Sequence, residues 1–318
     1  MINISIAYPK RKLSNLQLQL ESDTKDYTTF FNKIGIESRG VCSEDETGCD
    51  LAFEACCDIL KNEDKSKIDF IIYCTQTPDY LLPTTACILQ SRLGLSENCG
   101  ALDYNLGCSG YIYGLMIAKG LVESGIAKKI LLVTAETYSK LLKKEDVNNR
   151  AIFGDAASAT IFDATLASKI GYFDYGTDGG GAEKIIVRGG ASKTDFNKTL
   201  TDEDYFYMDG PKVYKFSIER IPKSIFECLN KNNLSIDEID YFVFHQANEL
   251  MLIKLRDKLG IPSDKFHLNV KLKGNTVSNT IPIALKESFE GHKVKKGSKV
   301  LLCGFGVGFS WATTVIRF

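Results

Sequence analysis

A layered α/β sandwich made of two similar halves is the fold this sequence predicts, on three observations. Short apolar runs rich in β-branched and aromatic residues alternate with segments of helical period. The same series of runs occurs twice, at nearly constant distance. The composition is globular, with 44% hydrophobic and 25% charged residues in 318, a length that suits two domains or one duplicated fold.

Taken in order, 49–62 (CDLAFEACCDILKN) has helical spacing, and KIDFIIYCTQ (67–76) is a strand buried on both faces. ILQSRLGL (88–95) spaces leucine for an amphipathic helix that Gly94 ends. ALDYNLGCSG (101–110) is a strand running into a turn and a long helix, and KKILLVTAE (128–136) is a further strand. The series then repeats as a helix over 217–232, the strand EIDYFVFHQ (238–246) and the helix IKLRDKLGI (253–261) with Gly260. A strand and turn at HLNVKLKGNT (267–276) and a strand at SKVLLCGFG (298–306) complete it. Ile239 follows Ile68 by 171 residues, Asn275 follows Cys108 by 167 and Leu301 follows Leu131 by 170. Such constancy across four elements indicates duplication, with halves at 1–165 and 166–318 and strands covered by helices on both faces. Two segments interrupt the pattern: the glycine-rich 176–190 and the polar 193–206 read as an inserted loop, either a binding element or plain solvated surface.

With 39 basic and 40 acidic side chains the formal charge is −1, which excludes a strongly basic nucleic-acid binder and supports no polybasic membrane anchor. In MINISIAYPKRKL the charges follow the apolar residues, the reverse of a secretory signal, and no apolar run approaches the ~18 residues of a membrane span. Ten cysteines with no C-x-x-C pair, many inside apolar segments, indicate reduced thiols and a soluble, cytoplasmic protein. Nothing has metal-ligand spacing, and there is no Walker A sequence and no G-x-S-x-G elbow.

Three side chains carry chemical promise. Cys108 lies between a strand and a long helix, with Gly107 and Gly110 permitting the turn. The positive end of the helix favours a thiolate there, although a core cysteine would suit the same place. His245 follows the strand YFVF, at the strand end where α/β sheets bind ligands, whereas His267 and His292 stand in polar contexts and read as surface residues. Asn275 follows a glycine, as a helix N-cap would. Because Cys108 and Asn275 occupy related helix starts, the duplication makes them converge where the halves meet. The alternating glycines of CGFGVGFSW (303–311) precede a terminal strand, not a helix, so they form a turn presenting backbone N–H rather than a dinucleotide loop.

Together DYNLGCSGYIYGL, FGDAASA (153–159), FHQAN, KGNTVSNTIPIAL and GFGVGFSW resemble β-ketoacyl-acyl-carrier-protein synthase III of the thiolase-like superfamily, over nearly the whole chain and in the family's order. The resemblance implies the thiolase-like αβαβα sandwich and a condensing acyltransferase of fatty-acid or related biosynthesis. Cys108 would be the nucleophile, His245 and Asn275 the condensation pair, and the N–H groups of Cys108 and Gly306 the oxyanion hole. It further implies substrate contacts from Leu82, Phe305, Gly210, Asn248, Lys33 and Arg150, with Leu82 often reaching across a dimer. Implied partners are acyl carrier protein, a coenzyme A thioester and a second copy of the chain; no metal or redox cofactor is required.

This sequence departs from the family in two places. Where members that use coenzyme A often carry Trp-x-x-x-Arg before an x-Gly-Ile segment, it has Thr29 and Lys33; where a basic residue commonly follows HQAN, it reads Glu249-Leu250-Met251. Both departures concern the carrier of the acyl donor and leave the Cys–His–Asn set complete. Transfer from Cys108 to an oxygen or nitrogen acceptor, as in a surface-glycan or secondary-metabolite pathway, is the alternative enzyme reading, and a non-catalytic subunit shaping a partner's pocket is a third.

Overall fold

The computed structural model describes residues 2–22, 25–194, 199 and 201–318, so residues 195–198 and 200 of the polar run lie outside the described residues, as does Met1. The first half forms a five-stranded sheet from Ile4–Ala7 (β1), Phe70–Cys74 (β2), Gly100–Tyr104 (β3), Lys129–Glu136 (β4) and Ala156–Asp163 (β5), ordered β1-β5-β4-β2-β3. The second half forms a four-stranded sheet from Ile170–Thr177 (β6), Tyr241–Phe244 (β7), Lys299–Gly306 (β8) and Ser310–Arg317 (β9), ordered β6-β9-β8-β7. The orders are the same once a counterpart of β3 is left out. Registers repeat too: Phe70 pairs with Ile130 and Tyr241 with Val300, both in parallel ladders.

Helices Gly48–Ile59 (α1) and Thr85–Leu93 (α2) cover the outer face of the first sheet. Gly110–Glu123 (α3) and Thr280–Glu290 (α6) each touch both sheets and form the middle layer, while Gly210–Lys231 (α4) and Glu249–Lys258 (α5) cover the outer face of the second. The result is five layers, αβαβα. The middle layer has the least room: a Cβ added at Gly114 of α3 would stand 2.6 Å from Leu132 of β4. Apolar side chains of α3 and α6, such as Ile112, Leu115, Ile281 and Leu285, interlock there with both sheets and are at most 1% exposed. Fully burying such a side chain is worth ~1.5–3 kcal/mol, so most of the driving force lies in layer contacts.

Two sequence expectations are corrected. Residues 267–272 form no strand. The chain starts along β7, with the His267 N–H donating to Phe242 O, but the Gln246 carboxamide then takes the ladder positions, donating to His267 O and accepting from Asn269 N–H. The segment turns instead to the first half, where Asn275 N–H donates to Ile152 O and Gly154 N–H to Asn275 O. His267 is not a surface residue: it is buried against Tyr241, Ser288 and Glu287, and burial, with the Lys273 charge second, lowers its pKa to about 4. Within the glycine-rich segment 176–190, Ile185–Val187 forms a short strand that pairs antiparallel with Phe206–Met208, which begins where the polar run 193–206 ends. The 165/166 boundary falls in the one-turn helix Ala164–Ala167. All ten cysteines are free thiols, and among the described residues no helix is long and apolar enough to cross a membrane.

Candidate active site

The ends of β7 and β8, the turn before α3 and the turn before α6 meet around a cavity of about 600 Å³. Cys108, His245 and Asn275 all line it and are 8%, 2% and 5% exposed, while Lys33 and Lys254 stand exposed at its mouth.

Cys108 sits two residues before Gly110 opens α3. The tail glycines pack directly on it: a Cβ at Gly306 would stand 2.8 Å from Cys108 Sγ, and one at Gly304 2.8 Å from Cys108 O. Only glycine brings that backbone so close to the sulfur. Burial pushes the thiol up to about 12; backbone hydrogen bonding at Val307 pulls it down, and the Glu136 charge adds to the rise. The expected thiolate is therefore absent from the resting site, because complete desolvation outweighs the helix terminus.

His245 follows β7 directly, its N–H donating to Cys303 O. Burial lowers its pKa to about 3, so the imidazole is neutral at physiological pH. Nδ1 lies 2.7 Å from Thr280 Oγ1, which itself lies 3.0 Å from Val277 O. Thr280 has one hydroxyl hydrogen and two acceptors. When it donates to Val277 O, Nδ1–H donates to Thr280 and Nε2 keeps a lone pair; when it donates to Nδ1, Nε2 carries the hydrogen.

Asn275 Oδ1 accepts from Val277 N–H at 2.9 Å, which orients the amide and leaves Nδ2 for a ligand. Val277 holds φ +55°, a left-handed conformation that costs a β-branched residue ~1–3 kcal/mol. In that conformation its N–H fixes Asn275 while its carbonyl takes the Thr280 hydroxyl beside His245.

Of the other residues picked from sequence, Phe305, Gly306, Gly210, Asn248 and Lys33 line the cavity. Phe305 presents its ring edge-on to His245, with centroids 5.7 Å apart, and Asn248 caps α5. Two do not line it. Leu82 stands 87% exposed on the surface. Arg150 pairs with Glu21 at 2.8 Å and borders a separate hollow with Arg11 and Lys140. Sequence reasoning missed Lys254, one turn beyond Leu250 on α5, whose signal was the i+4 spacing from the position where a basic residue was sought. It also missed Val277 and Thr280, inside the quoted GNTVSNT segment but with no signal for a positive φ. Ile185 of the glycine-rich segment and Met208, two residues past the polar run, join the cavity wall. No group of three or more His, Cys, Asp or Glu side chains among the described residues is placed to hold a metal ion.

Comparison with known proteins returns two family profiles. Residues 102–179 match 3-oxoacyl-[acyl-carrier-protein (ACP)] synthase III, and residues 229–318 match the C-terminal part of that family. A curated Clostridium perfringens protein, beta-ketoacyl-[acyl-carrier-protein] synthase III, is 37% identical over 100% of this chain and 98% of its own length. A crystal structure of a 3-oxoacyl-(acyl-carrier-protein) synthase III superposes with TM-score 0.94 at 41% identity, covering 100% of this chain and 99% of that one. The synthase III from Thermus thermophilus superposes with TM-score 0.89 at 34% identity, covering 99% and 98%.

Proposed function

The chain belongs to the 3-oxoacyl-[acyl-carrier-protein] synthase III family, and from that premise we propose a two-step condensation in fatty-acid or related biosynthesis at the Cys108–His245–Asn275 cavity. The observation that carries this reading is the convergence of a thiol, a neutral imidazole and an oriented amide on one buried hollow.

In the first step Cys108 Sγ attacks the carbonyl carbon of an acyl thioester. A thiol held near pKa 12 must lose its proton as it attacks, and His245 Nε2, with its lone pair free, is the acceptor in the cavity. The N–H groups of Cys108 and Gly306 stabilise the tetrahedral oxyanion, a contribution of ~3–4 kcal/mol per donor. When the intermediate collapses the carrier thiolate leaves, taking the proton from His245. In the second step a malonyl thioester enters. Its carboxylate leaves as CO₂ and the electron pair of the broken bond becomes an enolate. Between the steps His245 exchanges protons with solvent, Nδ1 losing one and Nε2 gaining one, and Thr280 turns to donate to Nδ1; His245 Nε2–H and Asn275 Nδ2–H then both donate to the enolate oxygen without protonating the carbanion. The enolate carbon bonds to the acyl carbonyl carbon, and Cys108 departs and regains a proton. Acyl thioester, malonyl thioester and one proton give 3-oxoacyl thioester, CO₂ and free thiol. No metal or redox group enters this scheme.

Lys33 and Lys254 at the mouth suit the phosphates of a coenzyme A or carrier-bound pantetheine arm, with acyl carrier protein as the partner that delivers malonyl groups. Strand β3 supports a homodimer: among the described residues it pairs only with β2, it is half-buried along its length, and it lies in the half that also exposes Tyr80, Leu81 and Leu82. Ten free thiols suit a reducing, cytoplasmic setting.

The test is CO₂ release from carboxyl-labelled malonyl carrier protein. Release that requires both the acyl donor and Cys108 is the expected result. Discharge of the acyl group to an alcohol or amine with no CO₂ would replace condensation by oxygen or nitrogen acyl transfer.

A further inference from the structure

Glu136 is a fully buried carboxyl group at the end of β4 that takes no part in the chemistry above. It accepts from Gln76 N–H at 3.1 Å, from Thr77 Oγ1 at 3.4 Å and from Ser278 Oγ at 2.8 Å. The third bond crosses between the halves, because Ser278 belongs to the turn Val277–Asn279 that leads into α6. Beside it Asn279 is tied to the first half as well, accepting from Thr134 Oγ1 at 2.6 Å and donating to Ala156 O at 2.8 Å. On the other flank Asn275 is paired with Ile152 and Gly154. Val277 is thus spanned by fixed points on both sides, and it is the residue held at φ +55°. Its two peptide groups orient the Asn275 amide and meet the Thr280 hydroxyl that sets the His245 tautomer.

A carboxyl group here has a cost: burial raises its pKa to about 8, so near neutral pH it is mostly the neutral acid, and where it ionises its charge hinders the Cys108 thiolate. Burying an ionisable group is itself unfavourable, so a residue kept there serves something else. We propose that Glu136 is a positioning residue for the second step: through Ser278 it holds the Val277 turn in the conformation that aims the Asn275 amide, which that step alone uses, at the malonyl-derived enolate. This rests on the condensing reading of the cavity and adds that the first half, besides supplying the nucleophile, sets the geometry of the other half's amide donor.

The test compares wild type with Glu136→Ala, Ser278→Ala and Glu136→Gln. Acylation of Cys108 is followed by intact mass, and CO₂ release is measured on pre-acylated enzyme. Ser278→Ala and Glu136→Ala should acylate within about threefold of wild type yet lose at least about tenfold in CO₂ release, since a misplaced Asn275 amide costs rate only in the step that uses it. Glu136→Gln keeps an acceptor for Ser278 and should recover most of that loss. A crystal structure of Ser278→Ala should show Val277 at negative φ and the Asn275 Oδ1 bond to Val277 N–H broken. Equal loss in both steps, unchanged CO₂ release in Ser278→Ala, or a retained Val277 turn in that crystal would each overturn the proposal. The crystal result stands whatever the activity, whereas a wild-type enzyme that acylates but never releases CO₂ would sink the condensing reading instead.

Discussion

Cys108 and His245 are both uncharged at rest, because burial drives one pKa up to about 12 and the other down to about 3. For a thiol the reactive anion grows tenfold per pH unit below the pKa. Iodoacetamide labelling of the Cys108 peptide should therefore rise steadily from pH 7 to about 10 with no plateau; a plateau near neutral pH would show a pre-formed thiolate. The sign follows from the cause: desolvation penalises the anion, so alkali exposes reactivity and acid suppresses it. Cys108→Ser should form no acyl adduct by intact mass, since a serine hydroxyl in this dry site is a far weaker nucleophile. An adduct at the wild-type rate would remove Cys108 from the nucleophile's role. Sequence pointed to all three central residues, because a Cys, a His and an Asn at duplicated strand ends and helix starts constrain where they meet. It misjudged the thiol's protonation and the burial of His267, since desolvation depends on what covers a residue and not on its neighbours in the chain.

At the scale of elements, the strands were legible and the irregular segments were not. β2, β4, β7 and β8 are near-continuous apolar runs, as strands covered on both faces must be, so their positions and spacing could be read directly. The missing strand at 267–272 was not legible, because it is the Gln246 side chain, from another element, that substitutes for a backbone ladder. Lys254 belongs to this scale too: a cation one helical turn from Leu250 reaches the same mouth. If it binds phosphate, Lys254→Glu should raise KM for coenzyme A thioesters by about tenfold while leaving phosphate-free pantetheine thioesters near their wild-type KM. An equal rise for both donors would assign Lys254 to packing. Thr280→Val should lower both steps about tenfold in single-turnover measurements, because valine keeps the shape but can neither accept from Nδ1–H, as acylation requires, nor donate to Nδ1, as condensation requires. Wild-type rates in both steps would argue against that role.

For the whole molecule, two similar halves packed through a shared middle layer bring Cys108 from one and His245 and Asn275 from the other to a common hollow. The duplication was readable from offsets of 167 to 171 residues. Leu82 was picked as a substrate contact, yet it stands exposed on its own chain, and Arg150 is drawn away by Glu21. A dimer built on the free edge of β3 should give a light-scattering mass near twice 35.3 kDa, and a proline placed at Leu102 in that strand should lower it towards one chain; a monomeric wild type would contradict the assembly.

The division of labour within the cavity is tested most directly by the intact mass of Asn275→Ala, first with an acyl donor and then with malonyl carrier protein. The account predicts that the variant gains the acyl group on Cys108 and keeps it after the malonyl carrier is added, whereas wild type returns to its unmodified mass. A variant that discharges at the wild-type rate, or never acquires the group, would contradict it.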